Sequence, residues 1–224
     1  MAPEDQKFKP AWLRYYDRLP PILNRYILCD PANEKRKKSD FTALGAIGVD
    51  PFDNYYLLDL VRDKLNPRER WEALRDMWQD QSEHGPVLRV GYEKYGKDSD
   101  IFYFEEQQKI EGIYFTITPL AGLTGKPDRI MRLVPLFETG RFYLPRRLYR
   151  RLKGEDKEVD IIKLFVDEEY EIYPFSLHDD IFDMISRIRD ADMMVKKPAP
   201  RSTADSRGRR PQQFRNRSNA WMAQ

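Results

Sequence analysis

Five carboxylates stand where an apolar strand should end or a helix begin. Asp30 follows Tyr26-Ile27-Leu28-Cys29, Glu93 follows Val90-Gly91-Tyr92, and Asp179, Asp180 and Asp183 open the last amphipathic segment. An ionised carboxylate closing a buried strand is costly unless it meets a partner, so Asp30 and Glu93 are expected to face a common site at the strands' carboxyl ends. In a parallel pair such ends lie about 5 Å apart, where like charges repel unless a cation stands between them. On a helix Asp180 and Asp183 share a face, and acids in a first turn suit the helix dipole. The third position is therefore a choice among Asp179, Asp180 and Asp183. Hard oxygen ligands of this kind favour Mg²⁺ or Mn²⁺. Two such ions about 4 Å apart hydrolyse a phosphodiester without a covalent intermediate, one activating water and the other stabilising the leaving 3′ oxygen. His178 adjoins the acids and is placed to orient or protonate a leaving group near neutral pH.

Other chemistries find less support. Gly122-Leu123-Thr124-Gly125-Lys126-Pro127-Asp128 lacks both the spacing of a nucleotide-binding loop and the Ser/Thr after its lysine. His84 and His178 are too few for a histidine metal cluster, and no Gly-x-Ser-x-Gly elbow is present. The single cysteine, Cys29, rules out an internal disulfide or a Cys-based zinc site and reads as a small core residue. No run approaches the roughly 18 to 20 apolar residues of a membrane span, and the N-terminus lacks the apolar stretch of a secretory signal. A soluble, intracellular protein without membrane contact is expected. The net charge of +2 hides a basic tail over residues 195–224, where Lys196, Lys197, Arg201, Arg207, Arg209, Arg210, Arg215 and Arg217 face one acid, Asp205. Such a tail is expected to be disordered and suits a polyanion.

The elements that must position the acids follow from the hydrophobic period. Residues 1–22 read as a docked but irregular lead-in, 23–194 as one domain. Strands are predicted over 25–30, 42–50 and 54–64, the last two a hairpin across Pro51-Phe52-Asp53, with the charged loop Asn33 to Lys38 between the first two. A helix opens at Pro67 and runs to about Ser82, with Trp71, Leu74, Met77 and Trp78 on one face. Then come a strand over 86–92, a helix over 97–109, a strand over 112–120, a helix over 127–137 and a strand over 141–145. Helices are predicted over 147–153, 159–169 and 178–192. The alternation implies an α/β fold: a mixed sheet, antiparallel in its first three strands and then parallel, with helices on both faces.

These stretches together resemble the C-terminal nuclease domain of the large terminase subunit of tailed bacteriophages. The resemblance is carried, in the family's order, by CDPANEKRKKSDFTALGAIG at 29–48, NYYLLDLVRDK at 54–64, VGYEKYG at 90–96, GKPDRIMRLVPLFETGRFYLP at 125–145 and HDDIFDMI at 178–185. It implies a ribonuclease-H-like fold and two-metal cleavage of double-stranded viral DNA with little sequence preference, in the cytoplasm of the infected bacterial host. Asp30 would bridge both ions, Glu93 would be the second-strand ligand, and Asp179 or Asp180 the third; Asp183 resembles the extra helix acid of resolvase relatives. Asp40 matches a family acid near the site. Lys126 and Arg129, one turn apart, would face the DNA backbone. The implied partners are the ATPase motor domain, the small terminase subunit and the portal. A junction resolvase or ribonuclease on the same fold, and a non-catalytic module docking DNA or the portal, are the alternatives.

Overall fold

β-Branched and aromatic runs form strands, and apolar spacings of three to four form helices. In chain order the computed structural model, which describes residues 6–31, 41–94, 100–121 and 124–199, contains β1 (Arg14–Tyr16), β2 (Asn24–Asp30), β3 (Thr42–Val49), β4 (Tyr55–Asp63), α1 (Pro67–Glu83), β5 (Val87–Glu93) and α2 (Asp100–Glu111). There follow β6 (Ile117–Leu120), α3 (Lys126–Met131), α4 (Val134–Glu138), β7 (Phe142–Pro145), β8 (Tyr149–Arg151), β9 (Glu158–Asp160), α5 (Ile161–Phe165) and α6 (Asp180–Ser186). Seven strands make one sheet in the order β1-β7-β4-β3-β2-β5-β6. β2, β3 and β4 pair antiparallel, and β5, β6, β7 and β1 add to the two sides in parallel. This is the mixed α/β sheet that the sequence predicts.

Alternation along the central strand divides the core into two layers. Ile27 and Cys29 pack with Trp71, Leu74 and Met77 of α1 and Phe104 of α2. Tyr26 and Leu28 point the other way, into a layer with Ile130, Phe137, Phe165, Phe182 and Ile185. Cys29 is a core residue, and burial pushes its thiol well up. Helix α1 starts where Asn66 and Glu69 form a reciprocal capping box ahead of Pro67. Among the described residues no helix is long and apolar enough to cross a membrane.

Several predicted elements differ in detail. The lead-in contributes a strand, β1, which pairs with β7, and Phe8, which is fully buried among Phe137, Tyr170 and Phe182. The helix predicted over 147–153 is instead strand β8, paired antiparallel with β9; Tyr149 and Arg151 are exposed and Arg150 half-buried, a period of two. The segment predicted as a helix over 159–169 turns helical only at Ile161, where the Asp160 carboxylate accepts the amides of Ile162 and Lys163 at 3.2 and 3.4 Å, and it closes in a π-helical turn, Val166–Tyr170. The helix predicted over 127–137 divides into α3 and α4 because Pro135 cannot donate to an interior turn and crowds the carbonyl four residues back. β6 is shorter than predicted, an edge strand carrying Pro119 and paired with β5. The final helix is regular over Asp180–Ser186 and continues as two 3₁₀ turns, Arg187–Arg189 and Ala191–Met193. The charged loop at 33–38, Asp40 and the tail beyond residue 199 lie outside the described residues.

Candidate metal centre

β2 and β5 run parallel with Cys29 opposite Tyr92, so Asp30 and Glu93 end neighbouring strands side by side. Alternation sends both away from α1, because Cys29 and Tyr92 occupy that layer and the residues after them point to the opposite face. On that opposite face lies α6. It sits close because the sheet beneath is bare at Gly45 of β3, where a Cβ would lie 2.6 Å from Met184 Cε; the 3₁₀ turn that follows is admitted likewise at Gly91 of β5, where a Cβ would lie 2.6 Å from Met193 Sδ. Asp183, one residue before Met184, is thereby brought to the strand ends. Asp30, Glu93 and Asp183 each offer a carboxylate oxygen, all within 4.8 Å of one another, and all three side chains are buried.

Three cations from two elements surround this group. Arg129 of α3 donates through Nε and a terminal nitrogen to Asp183 Oδ1 at 3.1 and 2.6 Å, and through its other terminal nitrogen to the Thr124 carbonyl at 3.0 Å. It also stands 3.7 Å from Glu93 Oε1. Arg129 is buried, with Asp183 supplying its counter-charge. Lys126 keeps a third of its side chain exposed and pairs with Asp179 at 2.6 Å and Asp183 at 3.5 Å. Burial works to lower its ammonium pKa, but Asp183, Asp179 and Asp30 outweigh it and the net shift is upward. Arg187 follows α6 and grips Glu93, its Nε donating to Oε2 at 3.0 Å and a terminal nitrogen to Oε1.

The other predicted acids stand apart from this triad. Asp179 precedes α6 and is held by Lys126. Asp180 turns toward Arg62 of β4, 3.8 Å away, and toward His178 Nδ1 at 3.9 Å. Burial raises its pKa, against Lys126, Arg62 and His178, which lower it. His178 packs edge-on against the Phe41 ring at 5.3 Å, and Arg62 lies over the same ring at 4.4 Å.

Sequence reasoning missed Arg187, Arg62 and Glu169. Glu169 is fully buried, and its two oxygens accept the amides of Ile181 and Phe182 at 3.3 and 3.0 Å, capping α6 where no side chain of the helix itself does so. Burial pushes its carboxyl up to about 8, partly offset by the Phe182 amide and Arg62. The available signal for Arg187 was its spacing, four residues after Asp183 and so on the same face. Glu169 gives no such signal, since its partners are backbone groups remote in sequence.

The donor set fits a hard divalent cation. It is all carboxylate oxygen, drawn from two strands and a packed helix, and the mutual repulsion of three buried anions, offset here by Arg129, Lys126 and Arg187, is what a cation between them would relieve.

No protein-family model matches the chain, and neither does any curated protein. Solved structures do. The human cytomegalovirus terminase nuclease domain superposes with a TM-score of 0.57 over 82% of this chain and 95% of that one, at 15% identity. The same domain soaked with manganese and bound to an inhibitor gives 0.54 over 84% and 97%, at 12% identity. The large terminase nuclease of thermophilic phage G20c with bound zinc covers 78% of this chain and 89% of its own at 20% identity, with a TM-score of 0.48. On the first two of these likenesses and the sheet order above, the chain has the ribonuclease-H-like fold of the terminase nuclease domains.

Proposed function

We propose that this chain is a metal-dependent endonuclease that cuts double-stranded DNA with little sequence preference, using Mg²⁺ or Mn²⁺ held by Asp30, Glu93 and Asp183. The observation that carries the proposal is the buried triad of carboxylates within 4.8 Å at the strand ends. Its setting, a fold shared with a viral nuclease domain that has been soaked with manganese, supports it. A pair of divalent ions, when bound, supplies an activated water and charge stabilisation for the leaving oxygen.

The chain's own residues prepare that chemistry. Asp30 at the end of β2, Glu93 at the end of β5 and Asp183 on α6 would hold the metal between the strand ends and the helix. Arg129 holds Asp183 and leaves its guanidinium beside the acids, where it also helps neutralise a phosphate drawn to them. Lys126 is the cation with a path to solvent and is the stronger candidate for a backbone contact, with Asp179 fixing its ammonium. His178 and Asp180 form a neighbouring polar pair that orients water or leaving group at the mouth of the site. On this reading the substrate is concatemeric viral DNA in the cytoplasm of an infected host, and the partners are an ATPase motor, a small terminase subunit and a portal.

Supercoiled plasmid with Mn²⁺ tests the reading. The parent should nick and linearise it, chelation should stop the reaction, and Asp30→Ala or Glu93→Ala should reduce cutting by at least about 10²-fold with the fold intact. Undiminished cutting by both variants would remove the metal model. A panel of four-way junctions and RNA–DNA hybrids decides between duplex cutting and a resolvase or ribonuclease activity.

A further inference from the structure

Glu93 is the last residue of β5, and the strand ladder alone does not fix where its three-torsion side chain points. Arg187 does. Arg187 is 1% exposed, and its guanidinium spans both Glu93 oxygens, while its remaining terminal nitrogen donates to Asp190 Oδ2 at 3.0 Å. Asp190 is itself held from the far side by Arg132 at 2.8 Å. The ion pairs form one alternating line across four segments: Asp179, Lys126, Asp183, Arg129, Glu93, Arg187, Asp190, Arg132.

We propose that Arg187 is a positioning residue that locks Glu93 of the strand to the helical run carrying Asp183, and so sets the affinity of the site for a divalent cation. The inference rests on the metal reading above. A planar fork with fixed donor spacing can grip two carboxylate oxygens and a second acid at once; an ammonium supplies the same charge from a single point and cannot. The proposal therefore concerns geometry rather than neutralisation. Lysine at this position should keep the charge balance and the fold while losing the alignment. Groups that orient metal ligands in this way typically contribute about 10- to 100-fold in affinity.

The test is Mn²⁺ binding to the full chain, followed by electron paramagnetic resonance of the free ion, with metal-free thermal melting alongside. The proteins are the parent, Arg187→Lys, Asp190→Asn and, as a control, Arg68→Lys, whose side chain is exposed on α1. Arg187→Lys should melt near the parent and bind Mn²⁺ about 10- to 100-fold more weakly. Asp190→Asn should show a smaller loss in the same direction, and Arg68→Lys none. A folded Arg187→Lys that binds Mn²⁺ as well as or better than the parent overturns the proposal. If Arg187→Lys does not fold, Asp190→Asn decides, and parent-like affinity there overturns it; failure of both to fold makes Arg187 a residue that holds the fold and also overturns it. Failure of the metal reading looks different: the parent itself leaves the Mn²⁺ signal unchanged, and the positioning role falls with it.

Discussion

Asp180 and Asp183 lie three residues apart on one short helix and meet opposite surroundings. Asp183 is nearly inaccessible and shared between Arg129, Lys126 and the strand-end acids; Asp180 faces a pocket of Arg62, Phe41 and His178. What separates them is the roll of the helix about its axis, and Glu169 fixes that roll by capping the amides of Ile181 and Phe182. Its folded carboxyl keeps a proton to about pH 8, whereas the unfolded one loses it near the ordinary 4.5. The folded state therefore binds the extra proton between these values. The contribution to stability is complete below the unfolded value and is lost as pH rises through the folded one. Urea unfolding should show stability falling between about pH 5 and 8.5, with a shallower slope in Glu169→Gln, which stays neutral and keeps one acceptor. An identical slope in the variant would assign the pH dependence to other groups, Asp180 foremost.

The contact between sheet and helix is where small changes should matter most at the level of elements. Gly45 allows α6 to sit on β3, and an added Cβ meets the flexible end of Met184 first and the Asp59 carbonyl, 3.3 Å away, next. Gly45→Ala should be tolerated by repacking the thioether, whereas Gly45→Val should destabilise by about 1–3 kcal/mol, or about 3–10 °C in Tm. Mn²⁺-dependent nicking should fall further for valine than its melting predicts, because Asp183 moves with the helix. Equal effects of the two substitutions would show that the helix does not rest on this glycine. The central strands and α1 were legible in the sequence because β2 and β3 are unbroken apolar runs buried on both faces and the apolar residues of α1 repeat at three to four. So were the strand-end positions of Asp30 and Glu93, since a carboxylate after a fully apolar run has few places to go. The sequence could not show which acid of the last helix joins them: that depends on helix roll, which is set by remote backbone contacts. β8 was misread for a related reason. Three residues are too few to distinguish one period from the other, and only pairing with β9 decides it.

For the whole molecule, the acids concentrate on one side of the sheet while α1 and α2 close the other with aromatic packing. A ligand that binds only the folded arrangement stabilises all of it by mass action. At about 100 times its dissociation constant Mn²⁺ should add about 2.7 kcal/mol, or about 5–10 °C in Tm, relative to chelator. Asp183→Asn should lose most of that rise, and a full rise in the variant would place the ion elsewhere. The three acids also differ in when they can meet. β2, β3 and β4 follow one another in sequence and pair in that order, and β5 joins β2 after a single helix, so Asp30 and Glu93 come together from the first half of the chain. Asp183 arrives only when α6 docks, after the chain has passed through β7, β8, β9 and the turn that carries its cap. Contacts of such sequence separation form late, since loop closure must precede them. A partly folded or still emerging chain thus holds two of the three acids, and the complete triad exists only in the finished fold.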